Sequence, residues 1–169
     1  MESITTEFKV SFFRIILLII SLITLSVLSA IASEPANIQY TLLSALAYAI
    51  SFFLGIIVSG LLLSIVNSIV KRNYGFSSIV KATANGFAFM FPFAVLAVFT
   101  DILFHWNSVQ AITCAAIFTC VSVSSADLIN LGGKKTPNFI SSFIASAIFI
   151  SLYLVLPFAA QIVLNKINL

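Results

Sequence analysis

Charged side chains are missing from five long stretches of this 169-residue chain, and that absence constrains its fold more than any motif does. Residues 15–33, 42–70, 82–100, 109–126 and 139–164 contain no Asp, Glu, Lys or Arg. At about 1.5 Å of rise per residue, each can span a hydrocarbon layer about 30 Å thick as a helix. The pattern predicts an all-α, polytopic integral membrane protein, a compact bundle of five transmembrane helices. Their expected bounds are about 12–32, 42–70, 79–100, 109–126 and 139–163, all within a single transmembrane domain covering 1–169.

Composition excludes the soluble alternatives. The chain is 61% hydrophobic and 8% charged, against the charged share of about a quarter that a soluble domain uses to cover its surface. The polar stretches between spans are too short to fold separately. The formal charge of +3 is spread over helix ends, with no concentrated basic face, so nucleic acid is not an expected partner. Membrane lipids are.

The basic residues also orient the bundle. With five spans, Lys9, Arg14, Lys71, Arg72, Lys81, Lys134 and Lys135 share one side, and the loops around 34–41 and 101–108 carry no Lys or Arg. Short-loop Lys/Arg bias marks the cytoplasmic face. The expectation is a bacterial inner (cytoplasmic) membrane location with the N-terminus inside and the C-terminus outside. The basic start, the apolar run from Ile15 and Ala30-Ile31-Ala32 also fit a cleavable secretory signal; retention as a first helix is the reading adopted.

Arg14, Lys71, Arg72, Trp106, Lys134 and Lys135 are assigned to the membrane–water interface, where long basic stems and an amphipathic indole are comfortable. Asn67, beside Lys71, is expected as an interfacial cap. In the second span Ser51, Gly55 and Ser59 recur at every fourth position, as do Gly60, Ser64 and Ser68, which suits close helix packing. The third span carries Asn85, Gly86 and Pro92; the proline removes an amide donor and should kink the helix or leave a carbonyl needing a partner. The fourth is the least apolar, with Thr113, Thr119, Ser122, Ser124 and Ser125, and is expected to be enclosed. In the last, Pro157 should bend or end the outer part. Gly55, Gly60, Asn85, Gly86, Pro92, Thr119 and Ser122 form the set of packing or pathway candidates.

Catalytic, cofactor and metal chemistry find no constellation here. Cys114 and Cys120 lie about 600° apart around a helix, which rules out a compact pair. Asp101 and His105 are two ligands where a metal needs more. Asp127 sits among charges and glycines at an interface. Gly132-Gly133-Lys134-Lys135-Thr136 lacks the spacing of a phosphate loop. No enzyme activity, cofactor or metal is expected.

From the second helix onward, Gly75-Phe76-Ser77-Ser78 leading to Lys81 and Pro92, and the Gly-Gly-Lys-Lys turn before the last span, resemble the membrane domain of the Yip1 family. The resemblance covers about 42–163 and implies a five-helix membrane domain with a cytoplasmic N-terminus. Eukaryotic relatives act in early secretory trafficking and associate with Rab-type GTPases. This chain lacks the Asp-Leu-Tyr-Gly-Pro element of that branch, so Rab binding does not carry over.

Two functions follow from these readings. The first is a non-enzymatic accessory, scaffolding or trafficking-type component of a membrane assembly, partnered by another membrane protein or by its own copies. The second is a small transporter, channel or substrate-binding subunit, with Asn85, Pro92, Thr119 and Ser122 lining a path.

Overall fold

In chain order the helices are α1 (Glu2–Ser33), α2 (Ile38–Ile69), α3 (Phe76–Phe87), α4 (Met90–Phe104), α5 (Val109–Leu131) and α6 (Phe139–Ile167). The computed structural model describes residues 2–33, 38–69, 76–104, 108–131 and 139–167, and side chains within 12–32, 41–65, 79–103, 108–128 and 140–163. Among the described residues there is no strand. Five apolar spans are long enough to cross a membrane: Phe12–Ala32, Thr41–Ile65, Ile79–Leu103, Val109–Leu128 and Ile140–Val163. The chain is a multi-pass membrane protein with an all-α, five-span bundle.

Its surface carries the signature of a lipid solvent. Leu42, Phe53, Ile102 and Ile140 are each more than three-fifths exposed, and most outward positions on all five spans are Leu, Ile, Val or Phe. In water so much contiguous apolar surface would drive association; against acyl chains it costs nothing.

The third span differs from the sequence expectation of one kinked helix. It is two helices, α3 and α4, joined by a turn at Ala88–Phe89. Pro92 explains the position of the break. A proline has no amide to give the carbonyl four residues upstream, and its ring crowds that oxygen. For Pro92 that oxygen belongs to Ala88, which accepts instead from the amide of Phe91 at 3.4 Å. The Phe89 amide likewise closes a tighter turn on Gly86 O at 3.2 Å. Pro92 itself falls in the first turn of α4, where a missing donor is tolerated. Pro157 behaves otherwise: it is buried within α6, which continues past it to Ile167, so of the bend or end expected there, the end does not occur. One lost donor does not end a membrane helix when the rest of its ladder has no water to turn to.

Packing joins α2 to α6, α3 to α5, and α1 to both α2 and α4. An aromatic cluster holds the α2–α6 seam. Phe52 lies 5.2 Å from Tyr153 and 6.3 Å from Phe149, edge-on to the latter, and Tyr48 lies 5.3 Å from Tyr153. Phe87 at the end of α3 extends the cluster to Phe149 at 5.8 Å. Tyr153 is fully buried, and its hydroxyl shares a 2.7 Å hydrogen bond with Ser29 of α1. Several other serines and threonines answer their own helix. Ser21, Ser51, Thr113, Ser124 and Ser146 each donate to the carbonyl four residues back, which lets a hydroxyl sit in an apolar interior.

The small residues are where the backbones meet. A methyl at Gly55 would fall 2.1 Å from the Phe149 ring, and one at Gly86 would fall 2.7 Å from both Cys120 O and Ser124 N on α5. At Gly60 it would meet only Thr83 Oγ1 at an ordinary 3.5 Å. The polar helix α5 is the most enclosed span, with 44% of its core stretch buried against 28% for the first span, as its composition suggested.

These contacts predict an ordering. Gly86→Ala should destabilise the bundle by about 1–3 kcal/mol, since its clash is with backbone and cannot be relieved by a rotamer change. Gly60→Ala should fall within about 0.5 kcal/mol of the parent. Thermal unfolding in detergent, followed by size-exclusion recovery, measures both; equal losses would refute the close α3–α5 approach.

Candidate functional site

Close contact at Gly86 determines what lies beside it. Gly86 sits against the Cys120–Ser124 turn of α5, and Asp127, three residues beyond Ser124, occupies the next position on that same helix face. Asn85 precedes Gly86 on α3 and is half-buried. From α1, the half-buried Arg14 donates a hydrogen bond through Nη1 to Asn85 Oδ1, across 71 residues of sequence. Arg14, Asn85 and Asp127 line one cavity of about 630 Å³. Ala88 and Pro92 of the helix break line it as well, with Phe13, Leu17, Phe89 and Phe91 as apolar walls.

The cavity sits where α3 gives way to α4, beside Arg14 of α1 and the last turns of α5. Arg14 immediately precedes the charge-free stretch 15–33, and Asp127 immediately follows the charge-free stretch 109–126. That depth suits the charges: an arginine or carboxylate at the bilayer centre would cost several kcal/mol, about 2.5–3.5 by insertion scales, while at this level water and headgroups remain within reach.

Hydrogen-bonding capacity is left over. Arginine has five N–H donors and no acceptor, and Asn85 takes one of them. The donor requires the Asn85 oxygen to face Arg14, which leaves the Asn85 NH2 group without a partner among the described residues. The half-buried Asp127 carboxylate makes no hydrogen bond or ion pair among the described residues. A guanidinium, an amide and a carboxylate thus share a cavity without forming an Arg–Asp pair. Such a set can bind a ligand of separated charges, an anionic group at Arg14 and a donor at Asp127.

Of the sequence candidates, Asn85, Pro92 and the interfacial Arg14 converge here, and Gly86 is the spacer that brings α5 close. Gly55 and Gly60 lie elsewhere, as packing positions of α2. Thr119 returns its hydroxyl to Ala115 O and, like Ser122, does not line the cavity. Lys71, Arg72, Trp106, Lys134 and Lys135 fall outside the described residues or side chains, as do Asn67 and His105. Asp127 was missed as a site residue, because a carboxylate near a span's end reads as interfacial until α3 is seen against α5. Among the described residues no three His, Cys, Asp or Glu side chains gather as metal ligands; Cys114 and Cys120 are free thiols.

A second cavity of about 340 Å³ lies among α1, α2 and α3 around Ile56, Leu61, Ile79 and Val80. It holds no charged group. The buried Thr83 hydroxyl at its edge has no hydrogen-bond partner among the described residues.

No protein-family model matches the chain, and neither a curated protein nor a solved structure matches it. The geometry of the molecule therefore carries the functional reading alone.

Accessibility tests the cavity directly. With Cys114 and Cys120 replaced by alanine, Asn85→Cys should react with a charged methanethiosulfonate reagent. The fully buried Ala82→Cys should not react. Equal protection of both thiols would mean that water does not reach Asn85.

Proposed function

We propose that this protein is a non-enzymatic ligand-binding membrane component, of the substrate-binding type expected in a transport or carrier assembly. The observation that carries this reading is the convergence of Arg14, Asn85 and Asp127 on one cavity beside a broken span. Interrupted helices in membrane proteins are tolerated where they line a cavity, and such places serve as binding sites in transporters. An anionic group would take the Arg14 donors that have no partner among the described residues, and a cationic or donor group of the same ligand would take Asp127. The basic face carrying the cavity is assigned to the cytoplasm of a bacterial inner membrane, on the positive-inside bias of Lys and Arg.

The accessory or scaffolding alternative drew on small-residue faces. One of those faces is spent inside the chain: Ser51, Gly55 and Ser59 are buried within the bundle, Gly55 against Phe149, while Gly60 and Ser64 of the other line the second cavity. The buried face offers a neighbouring protein nothing to pack on, which supports the ligand-binding reading. The Yip1 resemblance is kept as a proposal about architecture, supported by the five-span bundle; it brings no partner with it.

Phosphoethanolamine, a water-soluble zwitterion, tests the cavity. Added in the millimolar range to delipidated protein, it should raise the unfolding midpoint, because a ligand bound only by the folded state stabilises it by mass action. Arg14→Gln and Asp127→Asn should each remove most of the shift. An equal shift in the double variant would place binding elsewhere and overturn the proposal.

A further inference from the structure

The polar cavity does not end at its apolar walls. Ile20 and Thr24 of α1, with Ala94, Val95, Val98 and Phe99 of α4, line a second cavity of about 170 Å³, and Phe91 lines both. The α1 residues involved, Phe13, Leu17, Ile20 and Thr24, succeed one another at steps of four, three and four, so they form a single stripe along the helix. On α4, Phe91, Val95 and Val98 repeat the spacing. The two cavities meet at Phe91, and the smaller one, the furrow, continues between α1 and α4 away from the charged end.

Its walls are open to lipid: Ile20, Val95 and Phe99 are each more than a third exposed, as are Phe13 and Phe89 beside the charged end. From Arg14 to Thr24 the ten-residue step covers about 15 Å along α1, half the thickness of a hydrocarbon layer of about 30 Å. A headgroup-depth charge site joined to an apolar furrow one leaflet long has the dimensions of a single membrane lipid. The charges narrow the choice further. Arg14 favours a phosphate, while Asp127, with no cation paired to it among the described residues, opposes a headgroup of purely negative charge and favours one that also carries an ammonium.

We infer that the ligand of this cavity is a zwitterionic aminophospholipid of the phosphatidylethanolamine type. Its phosphate lies at Arg14, its ammonium at Asp127 and one acyl chain in the α1–α4 furrow. The inference rests on the ligand-binding reading of the Arg14–Asn85–Asp127 cavity and adds the identity of the occupant. A water-soluble zwitterion would use the charged end alone and leave the furrow without a role.

Native mass spectrometry tests it, on protein delipidated in detergent and titrated with phosphatidylethanolamine or phosphatidylglycerol. Phosphatidylethanolamine should bind one to one and at least about fivefold more tightly. Asp127→Asn should erase that preference, and Arg14→Gln should weaken binding of both lipids by about tenfold or more. Val95→Trp, which fills the furrow, should weaken lipid binding. Leu96→Trp, on the neighbouring lipid-facing position outside the furrow, should not. Thermal unfolding of each variant checks that it is folded. Equal binding of the two lipids in the parent protein would overturn the inference, as would a Val95→Trp variant that binds like the parent. If the phosphoethanolamine shift persists in either case, the occupant is a soluble zwitterion and the cavity reading stands. If that shift is also absent, both readings fall.

Discussion

Inside a bilayer a backbone amide or carbonyl has no water to bond with, so every helix must satisfy its own ladder or find a neighbour that will. The described spans meet the constraint with helices, all but the third uninterrupted, and several hydroxyls, such as those of Ser21, Ser51 and Thr113, turn back onto their own carbonyls. Pro92 is where the constraint bites. By withholding an amide from Ala88 it splits the third span into α3 and α4, and the split is repaired locally by the tighter turns of Phe89 on Gly86 and Phe91 on Ala88. Irregular backbone within a span is tolerated where it is packed in protein or lines a cavity, and the polar cavity is found there.

Packing keeps that break in register. Gly86 allows α3 to lie directly on the Cys120–Ser124 turn, so Asp127 is carried to the same level as Asn85. Phe87, the next residue, points into the aromatic cluster with Phe149. Two consecutive residues thus anchor the end of α3 to α5 and α6 at once, just before the chain turns. Replacing Gly86 would therefore disturb the site as well as the bundle, whereas Gly60, with room for a methyl beside Thr83, is a looser contact.

Much of this was legible in the sequence, for identifiable reasons. Span number and helical class follow from charge-free length, a one-dimensional property that the bilayer reads directly. The enclosed position of α5 follows from its Ser and Thr content, and Pro92 announces a disturbance by its chemistry. What stayed hidden depends on which helix faces which. Arg14 looked like an ordinary snorkelling residue and Asp127 like an interfacial one, since each, taken alone, is at home near a headgroup. Their shared cavity exists only because α1 and α5 both lie against α3, and apolar spans of similar composition carry little information about their neighbours. The proline rule also proved uneven: Pro92 breaks its span and Pro157 leaves α6 continuous.

Energetics bear on our proposal of a binding site over a conduit. A path for a polar solute would need partners spaced through the hydrophobic layer, because an unpaired polar group there costs about 2–7 kcal/mol. Beyond Asn85 and Pro92 the α1–α4 furrow offers Phe91, Ala94, Val95, Val98 and Phe99, with Thr24 as its single hydroxyl. Thr119 and Ser122, the polar residues of α5 once assigned to a path, are not part of it. A polar molecule drawn to Arg14 would meet an apolar wall one turn deeper. A molecule with one polar end and one apolar end would not, so the two halves of the groove fit an amphiphile better than a solute in transit.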